Sequence, residues 1–321
     1  MGSRPYVEVK GLMKRFGARI AVSDVSFTIE RGERFGLLGP NGAGKTTILS
    51  MMTGTLAPDA GTVLIGGDDV WRSPLSAKRR FGLVPQEIAL YPMLSAEENL
   101  AFFGAMVGLK GAHLRKKIDD VLEVAGLSGR RKERIERFSG GMKRRINIAA
   151  ALLHEPELII MDEPTVGIDP QSRAHILETV MRLNREFKMT VMYTSHYMEE
   201  VEYLCERVLI VDYGKVIADG PLEEVKKMAG EHVTIEIELK ALAGEREIDE
   251  ALHMSLSKEP SVLSYVRKGN TLQVIVASAE ETLMPLLESV QPVAGIGWVR
   301  IKEPNLESVF LKLTGRSLRD T

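Results

Sequence analysis

The chain has 321 residues, 44% of them hydrophobic and 27% charged, with a formal net charge of -2; this is long enough for two domains and excludes a disordered or fibrous chain. The near-neutral balance argues against the global basic field with which nucleic-acid binders collect phosphates. Cys205 is the single cysteine, which excludes an intrachain disulfide or a cysteine-built metal cluster and fits a reducing cytoplasm.

The opening MGSRPYVEV has no apolar signal core, and no run of about 18 apolar residues follows, so the expectation is neither a secretion signal nor a membrane span. Any membrane role then requires a partner. From Tyr6 to about Asp219, short apolar β-rich runs alternate with helical periods, the pattern of an α/β domain. RFGLLG (Arg34–Gly39) predicts a buried strand running into GPNGAGKTT, Gly39 to Thr47, with a helix beginning near Lys45. This run fits G-x-x-x-x-G-K-[ST] between strand and helix, the context that makes it a phosphate-binding loop. Gly39, Gly42 and Gly44 let the backbone curl, so that the loop containing Pro40, Asn41, Ala43 and Thr47 cradles phosphate oxygens with N–H groups. Lys45 neutralises the terminal phosphates, and the Thr46 hydroxyl can ligate Mg²⁺.

Residues from about 96 to 153 are rich in helical periods and read as an inserted helical subdomain. Inside it, RFSGGMKRR (Arg137–Arg145) places Ser139 before Gly140 and Gly141 at a predicted helix start. Free N–H groups and the helix dipole make this a second anion site. The charge run GRRKERIER, Gly129 to Arg137, reads as a solvated face. ELIIMD (Glu157–Asp162) and TVMYTS (Thr190–Ser195) predict buried strands of a parallel sheet. The first ends on Asp162 and Glu163; in P-loop enzymes an aspartate here helps hold Mg²⁺ and a neighbouring acid deprotonates the attacking water, so Asp162 takes the metal role and Glu163 that of general base.

Asp219-Gly220-Pro221 is a turn signal that divides the chain into domains 1–220 and 221–321. After the helix-like LEEVKKMAG come a strand (HVTIEIELK), a helix (EREIDEALHMSLSK), a hairpin (SVLSYVRKGNTLQVIVAS, turning at Lys268-Gly269-Asn270), a helix (ETLMPLLESV) and a strand (GIGWVRI). This β-α-β-β-α-β order is that of a ferredoxin-like sandwich, with a last helix in NLESVFLKL.

Taken together, GPNGAGKTT, FSGGM and IIMDEPTVGID resemble the ATP-binding cassette (ABC) ATPases, over about two-thirds of the chain. The resemblance implies an α/β P-loop NTPase with a helical subdomain, followed by a small α+β domain, with ATP and Mg²⁺ as cofactors. It further implies a homodimer paired head to tail, in which Ser139, Gly140, Gly141 and Met142 of one subunit close over the ATP held by Lys45 and its loop in the other. Phe16 stands where the family stacks an aromatic on adenine, and Gln86 where a glutamine senses Mg²⁺ and leads into the helical block. Asp169 matches the aspartate that communicates across the dimer, and His196 the switch histidine at the γ-phosphate. Two departures stand out: Phe138 replaces leucine, and Met142 replaces a glutamine and offers no amide hydrogen bond.

That variant is common among cassettes resembling drug and antibiotic exporters with separate membrane subunits. The expected function is therefore the ATP-hydrolysing subunit of a multisubunit transporter at the cytoplasmic face of the membrane, bound to an integral permease on another chain. The expected cargo is a hydrophobic or amphipathic compound such as a drug, antibiotic or lipid, with ion extrusion left open. The alternatives are a soluble cassette acting on nucleic acid or ribosomes and a non-catalytic nucleotide-gated module. No heptad arm fits between Thr47 and Ser139, one phosphate loop is present, and Glu163 and His196 are retained, so no nucleic-acid partner is expected. The C-terminal domain carries no catalytic cluster and reads equally as structural or regulatory.

Overall fold

The computed structural model describes residues 4–230, 233–240, 245–256, 259–302 and 305–314. His232, Ser257 and Lys258, which the sequence reading placed in elements of the C-terminal part, lie outside the described residues. The described residues divide into one unit ending at Leu222 and a second beginning at Glu223.

The first unit opens with a hairpin, β1 (Val7–Phe16) and β2 (Arg19–Ile29), whose turn uses Gly17 at φ 60°, a left-handed conformation that glycine adopts without strain. β3 (Arg34–Leu38) runs through the phosphate loop into α1 (Lys45–Met52). β4 (Ala60–Ile65) and β5 (Asp68–Asp69) join the hairpin in an antiparallel sheet of order β2-β1-β4-β5. α2 (Pro74–Arg80) then leads into β6 (Phe81–Val84).

The helical block consists of α3 (Ala96–Met106), α4 (Gly111–Val124) and α5 (Gly140–Leu152). Ser95 and Glu98 form a reciprocal capping box at the start of α3, which satisfies two otherwise unpaired N–H groups and fixes where the block begins. β7 (Leu158–Asp162), α6 (Pro170–Phe187), β8 (Thr190–Ser195), α7 (Met198–Leu204), β9 (Arg207–Asp212) and β10 (Lys215–Pro221) complete the unit.

The larger sheet has order β10-β9-β3-β8-β7-β6. Its strands from β9 to β6 are parallel, and β10 pairs antiparallel with β9. α1 lies in a core shared by both sheets: Ile48, Met51 and Met52 pack with Val7, Val22 and Val63 of the antiparallel sheet and with Leu37, Ile160 and Leu209 of the parallel one. The near-continuous apolar runs of β7 and β8 follow from burial on both faces.

The expected turn at Asp219-Gly220-Pro221 is instead the end of β10, where Asp219 pairs with Leu209 and Gly220 with Val208. An edge strand tolerates Gly and a terminal Pro because its outer side makes no ladder bonds, and Arg207 Nη2 holds both Asp219 oxygens at 2.8 and 2.9 Å. The division therefore falls just after the strand.

Beyond α8 (Leu222–Lys227) the second unit contains β11 (Val233–Lys240), α9 (Glu245–Leu256), β12 (Val262–Lys268), β13 (Thr271–Val276), α10 (Ala279–Val290), β14 (Gly295–Lys302) and α11 (Leu306–Thr314). The sheet order is β12-β13-β11-β14, with every pairing antiparallel, the ferredoxin-like arrangement. Alternation along β11 and β13 puts Ile235, Ile237, Leu272 and Val274 against Leu252, Leu286 and Val290 of the helices.

Candidate functional site

Parallel α/β sheets place ligands at the carboxyl ends of their strands, and here adjacent strands deliver the site. β3 ends in the phosphate loop, β8 in Ser195 and His196, β7 in Asp162 and Glu163, and β6 in Pro85 and Gln86. The loop's glycines answer to specific crowding. Gly44 has φ 107°, and a Cβ there would meet Ala21 O at 2.7 Å. At Gly39 a Cβ would meet Val211 O at 2.3 Å. The loop is pressed between β2 and the sheet, so at Gly39 and Gly44 only a residue without a side chain fits.

Lys45 is buried, and its Nζ donates to Gly39 O at 2.7 Å and Pro40 O at 3.1 Å. It also lies 3.1 Å from Glu163 Oε1. Glu163, itself buried, turns its other oxygen, Oε2, to His196 Nδ1 at 3.1 Å. A cation, a carboxylate and an imidazole thus form one chain across the ends of three strands.

Thr194 organises the two acids. Its Oγ1 donates to Asp162 Oδ1 at 2.8 Å and accepts from Glu163 N at 3.0 Å. Glu163 has φ 44°, a conformation uncommon for residues other than glycine, which such fixed bonds hold in place. Burial pushes the Asp162 carboxyl above the usual carboxylate range, against the hydrogen bond from Thr194.

Gln86 is exposed at the cleft, but its backbone is tied down. Arg144, on α5 and only 2% exposed, donates to the carbonyls of Pro85 and Gln86. Asn147 reaches Glu87 O at 3.4 Å. Burial pulls the Arg144 guanidinium below its ordinary value. The helix that begins at Ser139 therefore holds the Gln86 loop of the same chain.

A cleft of about 350 Å³ opens over these groups, lined by Phe16, Arg19, Ala21, Pro40, Asn41, Gly42, Gly44, Lys45, Thr46, Thr47, Gln86 and Glu163. Gly39 and Ala43 of the loop are buried beneath it; Ala43 O accepts from Gly214 N at 2.8 Å. Asp162 and His196 reach the lining residues through Thr194 and Glu163.

Ser139, Gly140, Gly141, Met142 and Asp169 do not line this cleft. Ser139 caps α5, accepting from Met142 N at 3.3 Å, and both Ser139 and Gly140 are exposed. The Met142 side chain is buried, with its sulfur 3.3 Å from Arg130 Nη1, so its backbone N–H is what it contributes at the helix start. Asp169 caps α6 by accepting from Ser172 N at 2.9 Å. A Cβ on Gly141 would come 2.2 Å from Ser172 Oγ, so the two helix starts touch directly. The hydrogen bond to Ser172 holds the Asp169 carboxyl below its usual range.

Arg144, Thr194 and Arg19 escaped the sequence reading. The first two left traces: a basic residue one turn inside α5, and a threonine among the hydroxyl residues at the carboxyl end of a buried strand. Arg19, whose Nη2 would lie 3.9 Å from a Cβ on Gly42, carries no motif signal.

The model of the ABC transporter family matches residues 22–166. The chain is 46% identical to the linearmycin resistance ATP-binding protein LnrL of Bacillus subtilis (strain 168) over 317 residues, covering 98% of this chain and 100% of that protein. It is 38% identical to the Nod factor export ATP-binding protein I of Ralstonia nicotianae, covering 100% of this chain and 97% of the relative. Among solved structures it resembles an ATP-binding subunit of an ABC transporter at TM-score 0.63 and 32% identity, over 70% of this chain and 93% of that one. A dimeric ATP-binding cassette in a post-hydrolysis state, bound to ADP and Pi, aligns at TM-score 0.61 and 27% identity, over 67% of this chain and 98% of the other.

Proposed function

The chain belongs to the ABC transporter family as an ATP-hydrolysing cassette, and on that premise we propose that it is the peripheral subunit powering an exporter whose membrane-spanning part is a separate chain. Among the described residues, no helix is long and apolar enough to cross a membrane. The relatives named for linearmycin resistance and Nod factor export support export as the direction of transport, and the cargo proposed is the hydrophobic or amphipathic compound expected from the sequence.

The observation that carries the mechanism is the split between two phosphate-directed elements. Lys45 and Glu163 share one cleft, while the exposed, Ser139-capped start of α5 is not among its lining residues. Two copies paired head to tail bring each helix start to the other's cleft, where its N–H groups and positive dipole end face the terminal phosphate. ATP then holds the pair shut. Phe16, exposed at the cleft edge, stacks on adenine, and Lys45 exchanges its loop carbonyls for phosphate oxygens.

Glu163, held next to Lys45 and His196, accepts the proton of the attacking water, and His196 orients both the carboxylate and the phosphate. The oxygens of Thr46, Gln86 and Asp162 suit Mg²⁺, which binds through one or two carboxylates together with substrate phosphates. When bound, the ion neutralises charge on those phosphates. Loss of the γ-phosphate removes the anion between the two copies, and the pair loosens.

The test is the solution mass of the purified chain carrying Glu163→Gln, with and without ATP. A dimer that requires ATP supports this reading; a mass unchanged by ATP, with nucleotide demonstrably bound, contradicts it.

A further inference from the structure

Behind Asp162 and Glu163 lies a third buried carboxylate, which the catalytic scheme leaves unused. Glu200, on α7, is 3% exposed. Its Oε2 accepts from Thr165 Oγ1 at 2.8 Å, Tyr193 Oη at 2.8 Å and Ser195 Oγ at 3.0 Å. Its Oε1 faces Arg173 Nε at 3.4 Å, an ion pair without hydrogen-bond alignment. The Arg173 guanidinium also lies 4.8 Å over the Tyr197 ring.

Each partner belongs to a segment that carries a site residue. Thr165 sits between Glu163 and Asp169 and accepts from Ile168 N at 3.2 Å, closing the turn before Asp169. Ser195 directly precedes His196, and its Oγ also accepts from Tyr197 N at 2.9 Å, fixing the backbone on the far side of the histidine. Arg173 stands in the first turn of α6, where its N–H bonds to Asp169 O at 2.9 Å.

A buried carboxylate is costly unless hydrogen-bonded and paired. Three hydroxyl donors on one oxygen make this anion well satisfied on one side, while the opposite side depends on a looser charged contact. Networks of this kind are rigid as a unit, because each bond strengthens its neighbours.

We propose that Glu200 is a positioning residue for ATP hydrolysis: its carboxylate locks the Glu163-to-Asp169 loop to the turn carrying His196, so that the dimer-facing aspartate and the hydrolytic pair move together. Arg173, in the first turn of the helix that Asp169 caps, ties the start of α6 to the same carboxylate. The proposal rests on the ATPase reading above. A carboxylate suits the task because Gln would keep one acceptor oxygen but present an amide N–H₂ to Arg173, turning an attraction into a repulsion of donors.

The test uses the full chain and compares steady-state ATP hydrolysis of the wild type with Glu200→Gln, Arg173→Gln and the double variant, alongside thermal unfolding. Glu200→Gln is expected to lower kcat about tenfold or more while KM for ATP stays within about twofold, since no phosphate-loop contact changes. The double variant should lose less than the product of the two single losses, as residues of one network do. Ser195→Ala, which removes one small donor, should lower kcat by a smaller factor and provides the decision should Glu200→Gln fail to fold. Unchanged kcat in the folded variants, or losses that vanish when turnover is normalised to ATP-binding molecules, would overturn the proposal. A wild-type chain that binds ATP without hydrolysing it would overturn the ATPase reading instead.

Discussion

Glu163 Oε1 and Lys45 Nζ lie 3.1 Å apart in a buried pair that joins the end of β7 to the start of α1. On the mechanism proposed above, the carboxylate that would act as general base is thereby neutralised by the same lysine that phosphate would claim. That mechanism has an arriving γ-phosphate compete for Lys45 and free one carboxylate oxygen for the water, with Oε2 staying on His196. Glu163→Gln should leave ATP binding intact and lower hydrolysis by about 10²- to 10⁴-fold, the usual share of a general base. Single-turnover phosphate release measures it, and near-normal release would remove Glu163 from that role.

Lys45→Ala acts on binding itself. It removes a buried cation whose charge-assisted bonds are worth about 1.5–3 kcal/mol, so ATP affinity should fall roughly 10- to 100-fold. It also leaves Glu163 buried without its cation. Equilibrium titration with a fluorescent ATP analogue reads the affinity, and unfolding by heat separates it from a general loss of stability.

Gly141→Ala should separate assembly from nucleotide binding. The added methyl would meet Ser172 Oγ at 2.2 Å, forcing the starts of α5 and α6 apart at a cost of about 1–3 kcal/mol. Because Gly141 does not line the Lys45 cleft, the affinity of the monomer for ATP should stay within about twofold while turnover drops. Equal losses in both would contradict the division of labour between the two phosphate-directed elements.

His154 supplies a pH dependence. Its Nε2 donates to Phe81 O at 3.0 Å, and burial pushes its pKa below the ordinary histidine value, the hydrogen bond opposing only in part. The folded state therefore favours the neutral ring. Its contribution is fully present above the unfolded value of about 6.5 and is lost as pH falls through the lower folded value. His154→Gln, which can still donate to Phe81 O, should show a smaller drop in Tm than the wild type between about pH 7.5 and pH 5.5. Parallel curves would exclude the effect.

Much of this architecture was legible because its causes are local. A phosphate loop declares itself through glycines that crowding imposes, as at Gly39 and Gly44, and the strands behind Asp162 and His196 through apolar runs that burial on both faces requires. The alternation in β11 and β13 likewise revealed the second sheet. What escaped depends on distant contacts: Arg144 reads as one more charge in a basic run until α5 is packed against Pro85 and Gln86, and Glu200 as one more acid in a helix until Thr165, Tyr193 and Ser195 converge on it. Asp219-Gly220-Pro221 misled for the same reason. Turn-forming residues end a strand without a turn when that strand is an edge and Arg207 holds the aspartate.

The most direct measurement is affinity purification of the tagged chain from gently solubilised native membranes, with identification of whatever accompanies it in stoichiometric amount. The account predicts a multispanning membrane protein, released or retained according to the nucleotide present. Recovery solely from the soluble fraction, bound to nucleic acid or ribosomes, would contradict the exporter and leave the ATPase chemistry to be coupled to something else.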